Sequence, residues 1–147
     1  MGKAKTRDAT QFAAIPFAIG ADGCPRVLLL TSRETRRWVI PKGWPIHGLK
    51  PREVAAREAF EEAGVLGSIV GNRVGSYHYC KQLPGDEDLL CRVNVFLLQV
   101  ERQAEAWPEQ GQRDIRWVAP AEAAEMVLEG GLSEILRRVV PGTGRGR

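Results

Sequence analysis

The chain has 147 residues, 44% of them hydrophobic, with 21 Lys and Arg against 18 Asp and Glu and a formal net charge of +3. That length suits one domain, and that apolar share excludes a disordered or fibrous chain. The sequence pI near 9.0 points first to an anionic partner, but the excess sits at the ends: Lys3, Lys5 and Arg7 against Asp8 leave +2, Arg145 and Arg147 add +2, and residues 11–141 carry −1.

Residues 1–10 and 141–147 are expected to be loose tails, since Gly and charge leave little to bury. The stretch 3–10 is polar with no apolar region of signal type after it, so no secretory signal is expected. Residues 11–20 (QFAAIPFAIG) and 26–32 (RVLLLTS) are apolar runs joined by the turn ADGCP, which predicts a β-hairpin. A short strand over 38–40 stops at Pro41. A Gly- and Pro-bearing loop, GWPIHGLK, leads into a helix over 51–63, with Pro51 in its first turn and Gly64 just past its end. Strands are predicted over 73–81 and 89–100, separated by the turn PGDED, and a short one over 115–118. Helices over 121–129 and 132–139, split by Gly130 and Gly131, close the chain. Strands on both sides of a central helix predict an α+β fold, an α/β/α sandwich with a mixed sheet between helical layers, in a single domain over 11–140.

No apolar run reaches the ~20 residues of a membrane span. Cys24, Cys80 and Cys91 lack C-x-x-C spacing, which argues against a disulfide framework or zinc site and suits a cytoplasmic protein. Trp38 and Trp117 lie in apolar strands and are expected in the core. Tyr77 and Tyr79 alternate with His78, so the two tyrosines share one strand face.

On a helical wheel Glu58, Glu61 and Glu62 fall within about 100° of one another, opposite Ala56, Ala59, Phe60 and Ala63. Small apolar residues let that helix lie close on a sheet. Like charges at i, i+4 destabilise an isolated helix, and a hard divalent cation relieves them: Mg²⁺ takes one or two carboxylates plus substrate phosphates. Arg57 stands four residues before Glu61, a spacing that orients that carboxylate. Just upstream, residues 26–52 hold seven cations against Glu34 alone, a net of +6, and residues 53–62 hold four Glu against Arg57, a net of −3. A basic block abutting an acidic one suits a polyphosphate with its metal.

The segment GWPIHGLKPREVAAREAFEEAGV, residues 43–65, resembles the Nudix box, G-x5-E-x7-R-E-U-x-E-E-x-G-U with U a bulky apolar residue. It matches at Gly43, Arg57, Glu58, Glu61, Glu62, Gly64 and Val65, with the small Ala59 at the first U. Leu49 stands where the family has its first Glu, which braces the loop against the helix. Glu53 is the nearest substitute, but its wheel position lies away from the other three. The order of elements over about 11–140 is similar to that of the MutT-like Nudix fold.

The resemblance implies hydrolysis of a pyrophosphate linkage with Mg²⁺ or Mn²⁺. Glu58 and Glu62 then match the metal ligands, with the carbonyl of Gly43 a third. Glu61 matches the glutamate that activates water in some members; a later-loop glutamate does so in others, for which Glu109 is the best-placed candidate and Glu105 the next. The run VLLLTSRETRRWVIPKG resembles the diphosphoinositol polyphosphate and dinucleoside polyphosphate hydrolases, which implies that Arg33, Arg37 and Lys42 face phosphate. Trp44, in the loop beside the site, is placed to stack on a base. The expected partner is a small-molecule polyphosphate; neither a membrane nor a nucleic acid is expected, and the chain would be a monomer or homodimer. Two other functions stay open: a non-catalytic polyphosphate sensor, and removal of pyrophosphate from RNA 5′ ends.

Overall fold

The computed structural model describes residues 5–139. Strands β1 (Lys5–Ile19), β2 (Pro25–Thr31), β3 (Trp38–Val39) and β4 (Lys42–Gly43) precede helix α1 (Pro51–Ala63). Strands β5 (Val65–Gln82), β6 (Glu87–Gln103) and β7 (Ile115–Val118) follow, then helices α2 (Pro120–Met126) and α3 (Gly130–Arg138). One mixed sheet runs β3-β2-β1-β6-β5, with β4 paired to β1 and β7 to β2. β1 and β2 form the expected antiparallel hairpin, whereas β1 and β6 run parallel.

Alternation along the strands builds two cores. Ala13, Ile15, Val27, Leu29, Val93 and Val95 face α2 and α3, where Leu132, Ile135 and Leu136 close over them. Ala14, Leu28, Leu30, Phe96 and Leu98 face α1 through Ala55, Ala59 and Ala63. The sheet therefore lies between helical layers, an α/β/α sandwich. No helix among the described residues is long and apolar enough to cross a membrane.

Four expectations need correction. Residues 5–10 are not a tail: they continue β1, pairing in parallel with Glu87–Arg92. A polar segment gains little from burial but satisfies its backbone on a partner strand, and Arg7 reaches Glu87 at 3.0 Å. The tail expected over 141–147 lies outside the described residues. β5 begins directly after Gly64 rather than at residue 73; shifts of register at Leu66/Gly67 and Val70/Gly75 break the alternation that marks a strand. Gly130 and Gly131 open α3 rather than separate two helices. Gly131 packs on Tyr77, whose Cβ stands 2.8 Å from where a side chain would begin. Trp117 is 38% exposed rather than core; among the described residues β7 is an edge strand paired with β2 alone. Trp38 packs against the core as expected.

Candidate active site

Helix α1 is held at both ends. The Lys50 backbone N–H donates to Glu53 Oε1 at 2.8 Å, so Glu53 braces the loop–helix junction that Leu49 cannot and does not join the carboxylate cluster. At the other end Gly64 adopts a left-handed conformation (φ 73°) and donates its N–H to Phe60 O at 2.8 Å. The Trp107 ring lies against Gly64 where any Cβ would sit. With Ala55, Ala59 and Ala63 fully buried on the sheet, the carboxylate face turns to a cleft of about 710 Å³.

Glu58 and Glu62 line this cleft with Gly43. Gly43 sits in β4 opposite Phe12, and a Cβ there would stand 2.5 Å from Glu58 Oε2. Glycine is what lets the carboxylate lie on the strand backbone. Burial pushes the Glu62 carboxyl up from 4.5 to about 8, opposed by Arg113 and reinforced by a hydrogen bond with Glu58. Burial also raises Glu58, with Glu61 and Glu109 adding to the repulsion. Glu62 is the more deeply placed of the two, 7% exposed.

Glu109 and Glu61 are brought together by the backbone: Glu109 N–H donates to Glu61 O at 3.0 Å. Their side chains diverge. The Glu109 carboxylate lines the cleft, and its Oε1 accepts from Arg113 Nε at 2.8 Å. The Glu61 carboxylate accepts from Arg57 Nε at 3.0 Å, the pairing expected from their spacing, and neither residue is in the cleft lining. Glu105 is exposed and outside it as well.

Arg33, Arg37, Lys42 and Trp44 all line the cleft. Arg33 Nη1 donates to Gln112 Oε1 at 3.0 Å, and Arg37 Nη1 lies 3.9 Å from Glu129 Oε2. The Lys42 ammonium sits 5.2 Å from the centre of the Tyr79 ring; burial lowers its pKa, partly offset by Glu62 and Glu129. Trp44 is 43% exposed.

Sequence reasoning missed Arg113, Gln11 and Glu129. The Arg113 side chain is only 10% exposed. Besides Glu109 it meets Glu62 at 3.9 Å and donates to the Thr31 carbonyl at 3.0 Å. Its place four residues after Glu109 was the available signal. Gln11 accepts from the Tyr79 hydroxyl at 2.7 Å; no local pattern joins residues so far apart. Tyr77 and Tyr79 share a face as expected, Tyr77 in the core and Tyr79 in the cleft.

Among the described residues no group of three His, Cys, Asp or Glu is arranged to enclose a metal ion. The donor set still fits Mg²⁺ or Mn²⁺: these ions need only one or two carboxylates when phosphate and water complete the shell. Burial raises both Glu58 and Glu62, a cost that a cation held between them would offset.

The NUDIX domain family model matches residues 11–140. The chain belongs to the Nudix family. It is 35% identical over 103 residues to Nudix hydrolase 16, mitochondrial, of Arabidopsis thaliana, covering 68% of this chain and 57% of that protein. It is 33% identical over 87 residues to diphosphoinositol polyphosphate phosphohydrolase 3-beta of Bos taurus, covering 56% and 46%. The chain thus spans less than two thirds of these relatives' length. The Nudix fold is also that of the Caenorhabditis elegans Ap4A hydrolase in a binary complex. That match has a TM-score of 0.64 and 19% identity, over 88% of this chain and 93% of that one. The MutT protein from Methanosarcina mazei Go1 has a TM-score of 0.65 and 20% identity, over 92% and 95%.

Proposed function

We propose that this Nudix chain hydrolyses a phosphoanhydride bond in a phosphate-rich small molecule, using Mg²⁺ or Mn²⁺ on Glu58, Glu62 and the Gly43 carbonyl. The observation that carries the reading is the placement of Glu58 and Glu62 on the strand backbone at Gly43, lining one cleft with Arg33, Arg37 and Lys42. A bound divalent ion supplies charge neutralisation for the bridging oxygens and an acidified water.

The protein's own groups divide the remaining work. Arg33, Arg37 and Lys42 bind phosphates, the guanidinium forks orienting them and the ammonium acting as a point charge. Glu109 takes the proton of the attacking water, since Glu109 lines the cleft and Glu61 does not. Arg113 fixes the Glu109 carboxylate through the 2.8 Å hydrogen bond. Glu61 positions the Glu109 loop through its backbone carbonyl. Dinucleoside polyphosphates and diphosphoinositol polyphosphates are the substrate classes proposed, in keeping with the names of two similar proteins.

Phosphate or nucleotide release with Mg²⁺ tests this on diadenosine polyphosphates, inositol pyrophosphates, nucleotide sugars and oxidised nucleotides. Turnover should stop with chelator. Glu109→Gln should lower kcat by about 10²–10⁴-fold, and Glu61→Gln by less. Tight binding of these compounds with no release from any of them would instead make the chain a sensor.

A further inference from the structure

The cleft has a carboxylate-rich part, formed by Glu58, Glu62 and Glu109, and a second wall beside Arg37 and Lys42 with one group that the proposed chemistry leaves unused. Glu129 belongs to that second wall. Its side chain is 12% exposed, and it stands at the N-cap of α3. An acidic residue there ordinarily serves the helix, through its amides or its dipole. Glu129 makes no side-chain cap hydrogen bond. Among the described residues its carboxylate accepts no hydrogen bond at all, and its one ion pair, to Arg37, is 3.9 Å long. A shielded carboxylate with open lone pairs therefore faces the cleft.

An ionised carboxylate only accepts. It is satisfied by hydroxyl or amino donors of a ligand and repels a phosphate placed beside it. Of the cations nearby, Arg37 is drawn to Glu129, Lys42 is attracted by both Glu129 and Glu62, Arg113 is held by Glu109 and Glu62, and Lys81 is exposed to screening solvent, so Glu129 subtracts from what they offer a phosphate. Trp44, 43% exposed at the same cleft, adds a flat apolar surface.

We infer that Glu129 makes this wall select a neutral, donor-bearing group, as the ribose and base of a nucleoside polyphosphate present, against a ring carrying further phosphates. This deepens the hydrolase reading and rests on it. Glu129 is a specificity determinant and takes no part in bond cleavage.

The test compares diadenosine tetraphosphate with diphosphoinositol pentakisphosphate, in Mg²⁺, for the native chain, Glu129→Gln and Glu129→Lys. kcat/KM should favour the dinucleotide in the native protein. Glu129→Gln should lower kcat/KM for the dinucleotide by about tenfold, and Glu129→Lys should swing the ratio toward the inositol compound by about 100-fold. Calorimetry with non-hydrolysable methylene-bridged analogues of both compounds reads the same ratio without turnover. If neither compound is cleaved but the analogues bind with the expected ratios, the hydrolase reading fails and the selectivity stands. A native preference for the inositol compound overturns the inference. So do an equal loss on both compounds in Glu129→Lys, an unchanged ratio, and failure of either analogue to bind.

Discussion

Glu62→Gln should stabilise the metal-free protein in alkaline solution, although it alters a residue of the proposed metal site. The Glu62 carboxyl is raised by burial from 4.5 to about 8. A carboxyl with a raised folded-state pKa contributes its full stability below pH 4.5, where it is protonated in both states. That contribution is lost as pH rises from there through about 8, because the unfolded chain ionises first. Each pH interval of one between the two values corresponds to 1.36 kcal/mol, so the loss is on the order of 3–5 kcal/mol above pH 8. For a domain of this size that is a fall in Tm on the order of 10 °C. Gln keeps the shape and the hydrogen-bonding oxygen and does not ionise. Thermal melts in EDTA from pH 5 to 9 should show native and variant Tm values close at pH 5, with the variant higher at pH 8.5. Adding Mg²⁺ should raise the native Tm most at alkaline pH, as ligation replaces the proton, and should raise the variant less. A variant that melts below the native protein at pH 8.5 in EDTA would refute the reasoning.

Three further outcomes follow from the same geometry. Gly43→Ala drives a methyl into Glu58, so Mg²⁺ affinity by calorimetry should fall about tenfold or more while urea midpoints show a cost of about 1–3 kcal/mol. Arg113→Ala leaves Glu109 and Glu62 without their cation; urea unfolding at pH 9, where Glu62 is ionised, should show a loss of about 3–5 kcal/mol that is smaller at pH 7, where Glu62 is protonated. Gly64→Ala meets both a φ of 73° and the Trp107 ring, and should cost more than the ~1 kcal/mol of an unhindered left-handed position, with Trp107 fluorescence changed in the folded state.

What could be read from residue order is what local periodicity carries. α1 is bounded by Pro51 and Gly64 and its two faces differ in character every turn, so its limits, its buried alanines and its carboxylate face all follow from thirteen consecutive residues. The Arg57–Glu61 pair is local for the same reason. The parallel contact of β1 with β6 joins residues about eighty positions apart, and no alternation announces a partner. Residues 5–10 are polar on both faces, so their strand exists only because β6 offers its edge.

Charge shows the same limit more sharply. The basic block 26–52 runs together in the chain, yet the fold disperses it. Arg26 turns to Asp22, Arg36 to Asp114 and Arg52 to Asn72, while Arg33, Arg37 and Lys42 reach the cleft. The two groups that decide what those three cations can do come from outside the block. Arg113, from the loop before β7, relieves part of the Glu62 and Glu109 charge. Glu129, at the head of α3, pairs with Arg37 at 3.9 Å. The acidic face of α1 and its approach to Gly43 were therefore legible in a short helix and its flanking loop, because Gly43, Glu58 and Glu62 lie within twenty residues of one another. The proposed preference among phosphate compounds rests on a balance of charge across the cleft, and that balance exists only after α3 has folded back over the sheet.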